Sequence, residues 1–274
     1  MQIKLDGALL SQFVVNGFVC FDGVIPPSEL EGMEREFDRL VSEGSFLSDQ
    51  RFENGYCVSV AGAYVQARAQ ELPQLSAFLS DPSLHQLMTA YFLSFYSQPE
   101  QLPAPIFHQQ LDLEENVRAG STSNSDWHFD RSPSLKCAVF FNDIGPNCGP
   151  FSVVPKTHFQ TRERAHRQLE KNPDPLFVDN YVKFKAAPER TTFVVGPGSV
   201  VVFDTFLIHQ GGGVTGDGRR KTMRTVTWPP ILNHDYLHPA RFAPDRSDDM
   251  DFETYFPRDR TGQSIKNPQH LYRG

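Results

Sequence analysis

Two well-separated places in this chain carry side chains that could together hold a metal ion. Trp127-His128-Phe129-Asp130 offers an imidazole and a carboxylate two positions apart, and His209 closes the apolar run 199–208. Side chains at i and i+2 of an extended segment share a face, so His128 and Asp130 reach one point while Phe129 turns away into packing. Two imidazoles and one carboxylate occupy one face of a six-coordinate Fe(II) and leave three adjacent positions for a cosubstrate and O2. That ligand set points to an oxygenase. The His-x-Asp pair alone is weak, because nine histidines and 33 acidic residues in 274 give about one such spacing by chance. A loop His-Asp pair and a hydrogen-bonded core His209 are the competing readings. Arg220, eleven positions after His209, adds weight. A guanidinium buried on a strand needs an anion, and a bound dicarboxylate would supply one.

Positioning these groups requires a β framework, and the chain supplies its pattern from residue 106 onward. Runs at 106–113, 127–130, 135–142, 151–155, 191–195, 199–204, 208–211 and 220–228 read as short strands, separated by turns such as Gly145-Pro146-Asn147-Cys148-Gly149-Pro150 and Gly196-Pro197-Gly198. A polar insertion, 159–190, interrupts them and carries a helix predicted over 161–171. The first third reads differently. Residues 8–15 are helical in pattern, Phe18-Val19-Cys20-Phe21 reads as a strand, and Ser28 is placed to cap a helix over 29–41 with Leu30, Met33, Phe37 and Leu40 on one face. Residues 44–75 are polar and mixed, and 75–79 and 82–94 read as further helices. The expected architecture is mainly β with flanking α: a double-stranded β-helix, a cupin-like jelly roll, with the N-terminal helices packed on one sheet. It would form one domain over 1–274, with an α-rich entry region at 1–105, a jelly-roll core at 106–228 and a tail at 229–274.

Composition narrows the function classes. The chain is 39% hydrophobic and 12% aromatic, enough for a sizeable core, and its net charge of −7 gives no field for a nucleic acid backbone. Cys20, Cys57, Cys137 and Cys148 show no CxxC spacing and read as reduced thiols. Neither a basic and apolar leader nor an 18-residue apolar run is present, so the expectation is a cytoplasmic protein with no membrane partner.

The combination of segments resembles the phytanoyl-CoA dioxygenase family of Fe(II)/2-oxoglutarate oxygenases. The likeness begins at Phe13-Val14-Val15-Asn16-Gly17-Phe18-Val19 and the helix after Ser28. It runs through Trp127-His128-Phe129-Asp130, through Phe141-Asn142-Asp143-Ile144-Gly145-Pro146 up to Lys156-Thr157-His158, and on to Gly198-Ser199-Val200, His209 and Arg220-Lys221. It implies Fe(II) ligation by His128, Asp130 and His209, 2-oxoglutarate and O2 as cosubstrates, and Arg220 on the distal carboxylate of 2-oxoglutarate. It also implies an amide contact to the cosubstrate from Gln109, or from Gln110 if the register slips by one. Gln210-Gly211-Gly212 departs from the family's usual Gly-Ser after the distal histidine, which removes a hydroxyl contact. His158 resembles a structural position. The expected reaction is oxidation of a small-molecule metabolite or natural-product intermediate, most simply hydroxylation, with release of succinate and CO2. Asp130 argues against halogenation, which needs that position open.

One expectation comes from strand alternation. Even positions from Arg220 to Trp228 share a face, so Arg224 should also point inward. It would serve the cosubstrate's C1 end or a polar group of the substrate, beneath a lid of residues 44–70 and 159–190, or else pair internally with a carboxylate such as Asp204. The alternative function is a cupin-like metal-binding protein, or a metal-dependent hydrolase or isomerase that does not use O2; such a protein has no evident need for Arg220.

Overall fold

The computed structural model describes residues 3–94, 110–117, 126–131, 134–172, 178–227 and 252–254. A helical layer comes first. α1 (Gly7–Asn16) is capped by the Asp6 carboxylate on the Leu9 amide and ends at Gly17, which adopts φ 80°. β1 (Phe18–Phe21) follows, then α2 (Pro27–Glu43), whose buried side chains include the expected Leu30, Met33, Phe37 and Leu40. Ser28 does not cap α2. Pro26 is the N-cap and makes no side-chain cap bond, while Pro27 opens the first turn, where a missing N–H costs nothing. α3 (Gly62–Ala67), α4 (Pro73–Leu79) and α5 (Pro82–Leu93) complete the layer.

The main sheet has seven antiparallel strands in the order β1-β9-β5-β11-β4-β3-β2. They are β2 (Ser48–Phe52), β3 (Gly55–Ala61), β4 (Gln110–Val117), β5 (Leu135–Phe140), β9 (Val200–Asp204) and β11 (Arg219–Thr227), together with β1. The second sheet is β10 (Ile208–Gly211), β6 (Phe151–Val154) and β8 (Thr191–Thr192), in that order. The result is the expected double-stranded β-helix with helices on one sheet. The outer face of the main sheet presents Val58, Val60, Leu111, Leu113, Cys137, Val139, Val200, Val202 and Met223 to Phe13, Phe37, Leu87, Met88 and Phe92 of the helices. Burying each such side chain contributes roughly 1.5–3 kcal/mol, so this face anchors the helical layer.

Several expectations shift here. The hairpin β2–β3 extends the main sheet, so residues 48–61 are not part of a lid; β2 is an edge strand whose exposed, charged residues gave it no strand signal. Segment 127–130 is not a full strand: His128 alone makes bridges, to Tyr181 on one side and His209 on the other. α6 (His158–Lys171) starts three residues before the predicted position, and β7 (Val182–Phe184) within the insertion pairs with β12 (Phe252–Thr254) of the tail. The first part of the expected strand at 106–113 lies outside the described residues, and β4 continues to Val117.

Candidate active site

Backbone pairing brings the two halves of the constellation together. The His128 amide donates to the His209 carbonyl at 3.0 Å and the His209 amide returns the bond at 2.7 Å, setting the two imidazole centroids 4.3 Å apart. Asp130 is held one step further on by its amide on the Thr205 carbonyl at 2.7 Å, and Phe129 between them is fully buried. The alternation expected of the His-x-Asp segment therefore holds without a full strand.

Each imidazole is oriented through its inner nitrogen. His128 Nδ1 lies 2.8 Å from the Asp126 carbonyl and His209 Nδ1 lies 2.7 Å from the Leu207 carbonyl. A carbonyl only accepts, so in the neutral rings the proton sits on Nδ1 and the Nε2 lone pairs are free. Burial lowers the pKa of both, that of His209 to about 3, and favours this neutral, ligating form. Asp130 Oδ1 is 3.9 Å from His128 Nε2 and 3.7 Å from His209 Nε2, and the three ligand atoms lie within 4.8 Å of one another. Burial opposes ionisation of Asp130, yet Lys136 and the two imidazoles outweigh it and hold the carboxyl well below the usual carboxylate range. Two anchored neutral nitrogens and an ionised oxygen converging on one point form a donor set that fits Fe(II).

The facing wall is the inner surface of the main sheet. Register places Cys57 and Ser59 of β3, Gln110, Asp112, Glu114 and Asn116 of β4, Arg220, Thr222, Arg224 and Val226 of β11, and Lys136, Ala138 and Phe140 of β5 on this side. Arg220 and Arg224 both point inward, as alternation requires, and Arg219 points outward to Glu115. Glu114, 1% exposed, accepts from Arg220 Nη2 at 2.7 Å through Oε1 and lies 2.8 Å from Arg224 Nη1 through Oε2. Burial opposes its ionisation, but Arg224 and Arg220 together hold its pKa down at about 2. Arg220 Nη1 also donates to the carbonyls of Gly149 and Gly212. A Cβ on Gly211 would come within 3.3 Å of Arg220 Nη2, so the departure at Gln210-Gly211-Gly212 leaves room at the guanidinium.

Arg224 is thus in an internal ion pair, but not with Asp204. Its carboxylates are Glu114 and, at 4.0 Å, Asp112, whereas Asp204 serves Arg162 and Tyr91 at the far end of β9. The reason is geometric: Asp204, paired with Leu135 on β5, belongs to the outward-facing set of Val200 and Val202, whereas Arg224, paired with Ala138, faces inward. Gln109 lies outside the described residues. Gln110 lies on the inner face and donates to Asp112 Oδ1 at 2.7 Å. His158 is remote from the metal ligands in role, with Nε2 on the Val14 carbonyl at 3.0 Å. Lys136 and Glu114 belong to no motif and were not among the expected site residues. A lysine in the otherwise apolar run Leu135-Lys136-Cys137-Ala138-Val139-Phe140 was the available signal.

The family model described as phytanoyl-CoA dioxygenase matches residues 13–222. The chain belongs to this family. It is therefore an Fe(II)/2-oxoglutarate-dependent oxygenase, with iron and 2-oxoglutarate as its cofactor and cosubstrate, and the O2-independent alternative falls away. No curated protein matches this oxygenase. Solved structures of similar fold include the epimerase SnoN in complex with Fe3+, alpha ketoglutarate and nogalamycin RO (17% identity, 81% of this chain and 82% of that one, TM-score 0.55). They also include the carbocyclase SnoK from nogalamycin biosynthesis (17%, 88% and 92%, TM-score 0.55) and AviO1 from Streptomyces viridochromogenes Tue57 (19%, 84% and 98%, TM-score 0.55). Among the described residues of this oxygenase, no helix is long and apolar enough to cross a membrane.

Proposed function

We propose that this oxygenase hydroxylates an unactivated C–H bond of a small-molecule metabolite or natural-product intermediate, with Fe(II) held by His128, Asp130 and His209. The convergence of two free Nε2 atoms and one ionised oxygen within 4.8 Å is the observation that carries this reading. Fe(II) bound there supplies O2 activation coupled to conversion of 2-oxoglutarate to succinate and CO2. The protein's part is to hold the donors on one side, so that three positions stay free on the other. Arg220 is the anchor for the distal carboxylate of 2-oxoglutarate: it is 4% exposed, its guanidinium faces the interior, and Gly211 leaves space beside it. Glu114 holds Arg220 in place and balances its charge.

Hydroxylation is the favoured outcome because it needs no additional protein group beyond the metal site, whereas epimerisation and cyclisation require the substrate radical to be diverted. Asp130 fills the ligand position that halide would occupy in a halogenation. The inner wall carries Asp112, Glu114, Arg224, Ser59 and Gln110, which suits a polar substrate better than a long apolar chain. The similar structures of SnoN, in complex with nogalamycin RO, and of SnoK, from nogalamycin biosynthesis, support a natural-product intermediate as the substrate class.

The test is anaerobic addition of Fe(II) and 2-oxoglutarate, which should produce a visible metal-to-ligand charge-transfer band. A metabolite screen for stimulated succinate release, with the product identified by mass spectrometry, then separates a product heavier by one oxygen from an isomer or a product lighter by two hydrogens. No band at saturating concentrations contradicts the iron site, and an isomeric product contradicts hydroxylation.

A further inference from the structure

The two oxygens of Asp130 face different partners. Oδ1 looks toward the two imidazole Nε2 atoms, at 3.9 and 3.7 Å, while Oδ2 lies 2.7 Å from Lys136 Nζ. That second distance is within the range of a charge-assisted hydrogen bond. Lys136 is on the interior strand β5, directly opposite Phe203 on one side and Val226 on the other, and its side chain is 17% exposed. Neither of those two apolar side chains offers the ammonium a competing acceptor.

The division matters because a carboxylate can bind a cation through one oxygen or through both. A two-oxygen Asp130 with two imidazoles would fill four of six positions on Fe(II). A chelating 2-oxo acid would take the remaining two and leave none for O2. With one oxygen withdrawn onto a lysine, the protein fills three positions and the cosubstrate two, so one stays open.

We infer that Lys136 is a positioning residue that restricts Asp130 to one-oxygen ligation and thereby keeps the site open for both cosubstrates. The inference rests on the iron site proposed above and adds a residue to it. Lys136 need not touch the substrate, 2-oxoglutarate or O2 for this role. It acts through Asp130.

The test uses the full chain as Lys136→Met, which keeps much of the side-chain volume but loses the donor, and as Lys136→Arg, which keeps it. Anaerobic titration of the Fe(II)-loaded protein with 2-oxoglutarate, followed by the charge-transfer band, should show the Met variant needing at least tenfold more cosubstrate. Its affinity for Fe(II) alone, measured separately, should not fall, and the Arg variant should stay within threefold of wild type. A wild-type midpoint for the Met variant overturns the inference, as does an Arg variant as impaired as Met. If the Met variant does not fold, the wild type loaded with Co(II) decides by crystallography. Oδ1 alone on the metal, with Oδ2 still on Lys136, supports the inference, and both oxygens on the metal overturn it. Absence of the band in the wild type would instead refute the iron and cosubstrate reading, so the two failures are distinguishable.

Discussion

Each proposed imidazole ligand is backed by a carbonyl that orients it, that of Asp126 behind His128 and that of Leu207 behind His209. Loss of an orienting partner at such sites typically costs 10–100-fold in metal affinity, and loss of the ligand itself should cost more. His128→Ala, Asp130→Ala and His209→Ala are therefore each expected to abolish turnover and weaken Fe(II) binding at least about 100-fold. Unchanged Fe(II) affinity in a calorimetric titration would remove that residue from the ligand set. The adjacent arginines give a sharper contrast. On the role proposed for Arg220, Arg220→Leu should cost about 1.5–3 kcal/mol, or at least tenfold in the apparent 2-oxoglutarate requirement. Arg219 is half-exposed and pairs with Glu115 on the surface, so Arg219→Leu should leave that requirement within about threefold. Succinate release at varied 2-oxoglutarate checks the ranking, and its reversal would mean that Arg219, not Arg220, serves the site.

At the scale of elements, one carboxylate ties three of them together. Asp204 ends β9, accepts from Arg162 of α6 and from Tyr91 of α5 at 2.7 Å, and takes the Phe206 amide at 2.8 Å on its other oxygen. Arg162 and Asp204 are both fully shielded from solvent, and the guanidinium also lies over the Phe206 ring. Removing one partner of such a pair leaves an uncompensated buried charge and costs about 3–5 kcal/mol. Arg162→Met should lower the unfolding free energy by that amount in a urea titration; a loss under about 1 kcal/mol would show that Asp204 is satisfied without it. Asp204 precedes the Thr205 carbonyl that holds the Asp130 amide, so the same loosening should weaken Fe(II) binding. The hairpin β2–β3 has a different role: it widens the main sheet so that Cys57 and Ser59 back the acidic residues of β4.

Across the whole molecule, buried neutral histidines link folding to pH. Burial pushes His158 down to about 4 and His209 to about 3, whereas in the unfolded chain a histidine takes up its proton near 6.5. Between those values the unfolded state binds more protons. Stability is therefore fully present above about pH 6.5 and is lost as pH falls toward the folded pKa values. One such histidine contributes a slope of up to about 1.4 kcal/mol per pH unit. His158→Gln, which keeps a donor for the Val14 carbonyl, should flatten the stability profile between about pH 4.5 and 6.5 by nearly one proton. An unchanged slope in urea titrations across that range would show that His158 does not titrate differently on unfolding. Metal and cosubstrate should act in the opposite sense, since they bind the folded chain. At a hundred times their dissociation constants each adds about 2.7 kcal/mol, a rise of roughly 5–10 °C in Tm that a chelator should reverse.

Much of this site was legible in the chain because its logic is local. Alternation along an extended segment put His128 and Asp130 on one side of Phe129, and Arg220 and Arg224 on one side of β11, whatever their distant neighbours. The helix α2 and strand β1 were legible for the same reason, through a repeating apolar face. Pairing across the chain was not legible, because a hydrogen bond between His128 and His209 joins residues 81 apart and leaves no periodic trace. Only the tertiary structure decided that Glu114 answers both Arg220 and Arg224, that Asp204 answers Arg162, and that Lys136 divides the oxygens of Asp130. Sequence determines which charges must find partners, since none can be buried alone. Strand order and register determine which partners they find.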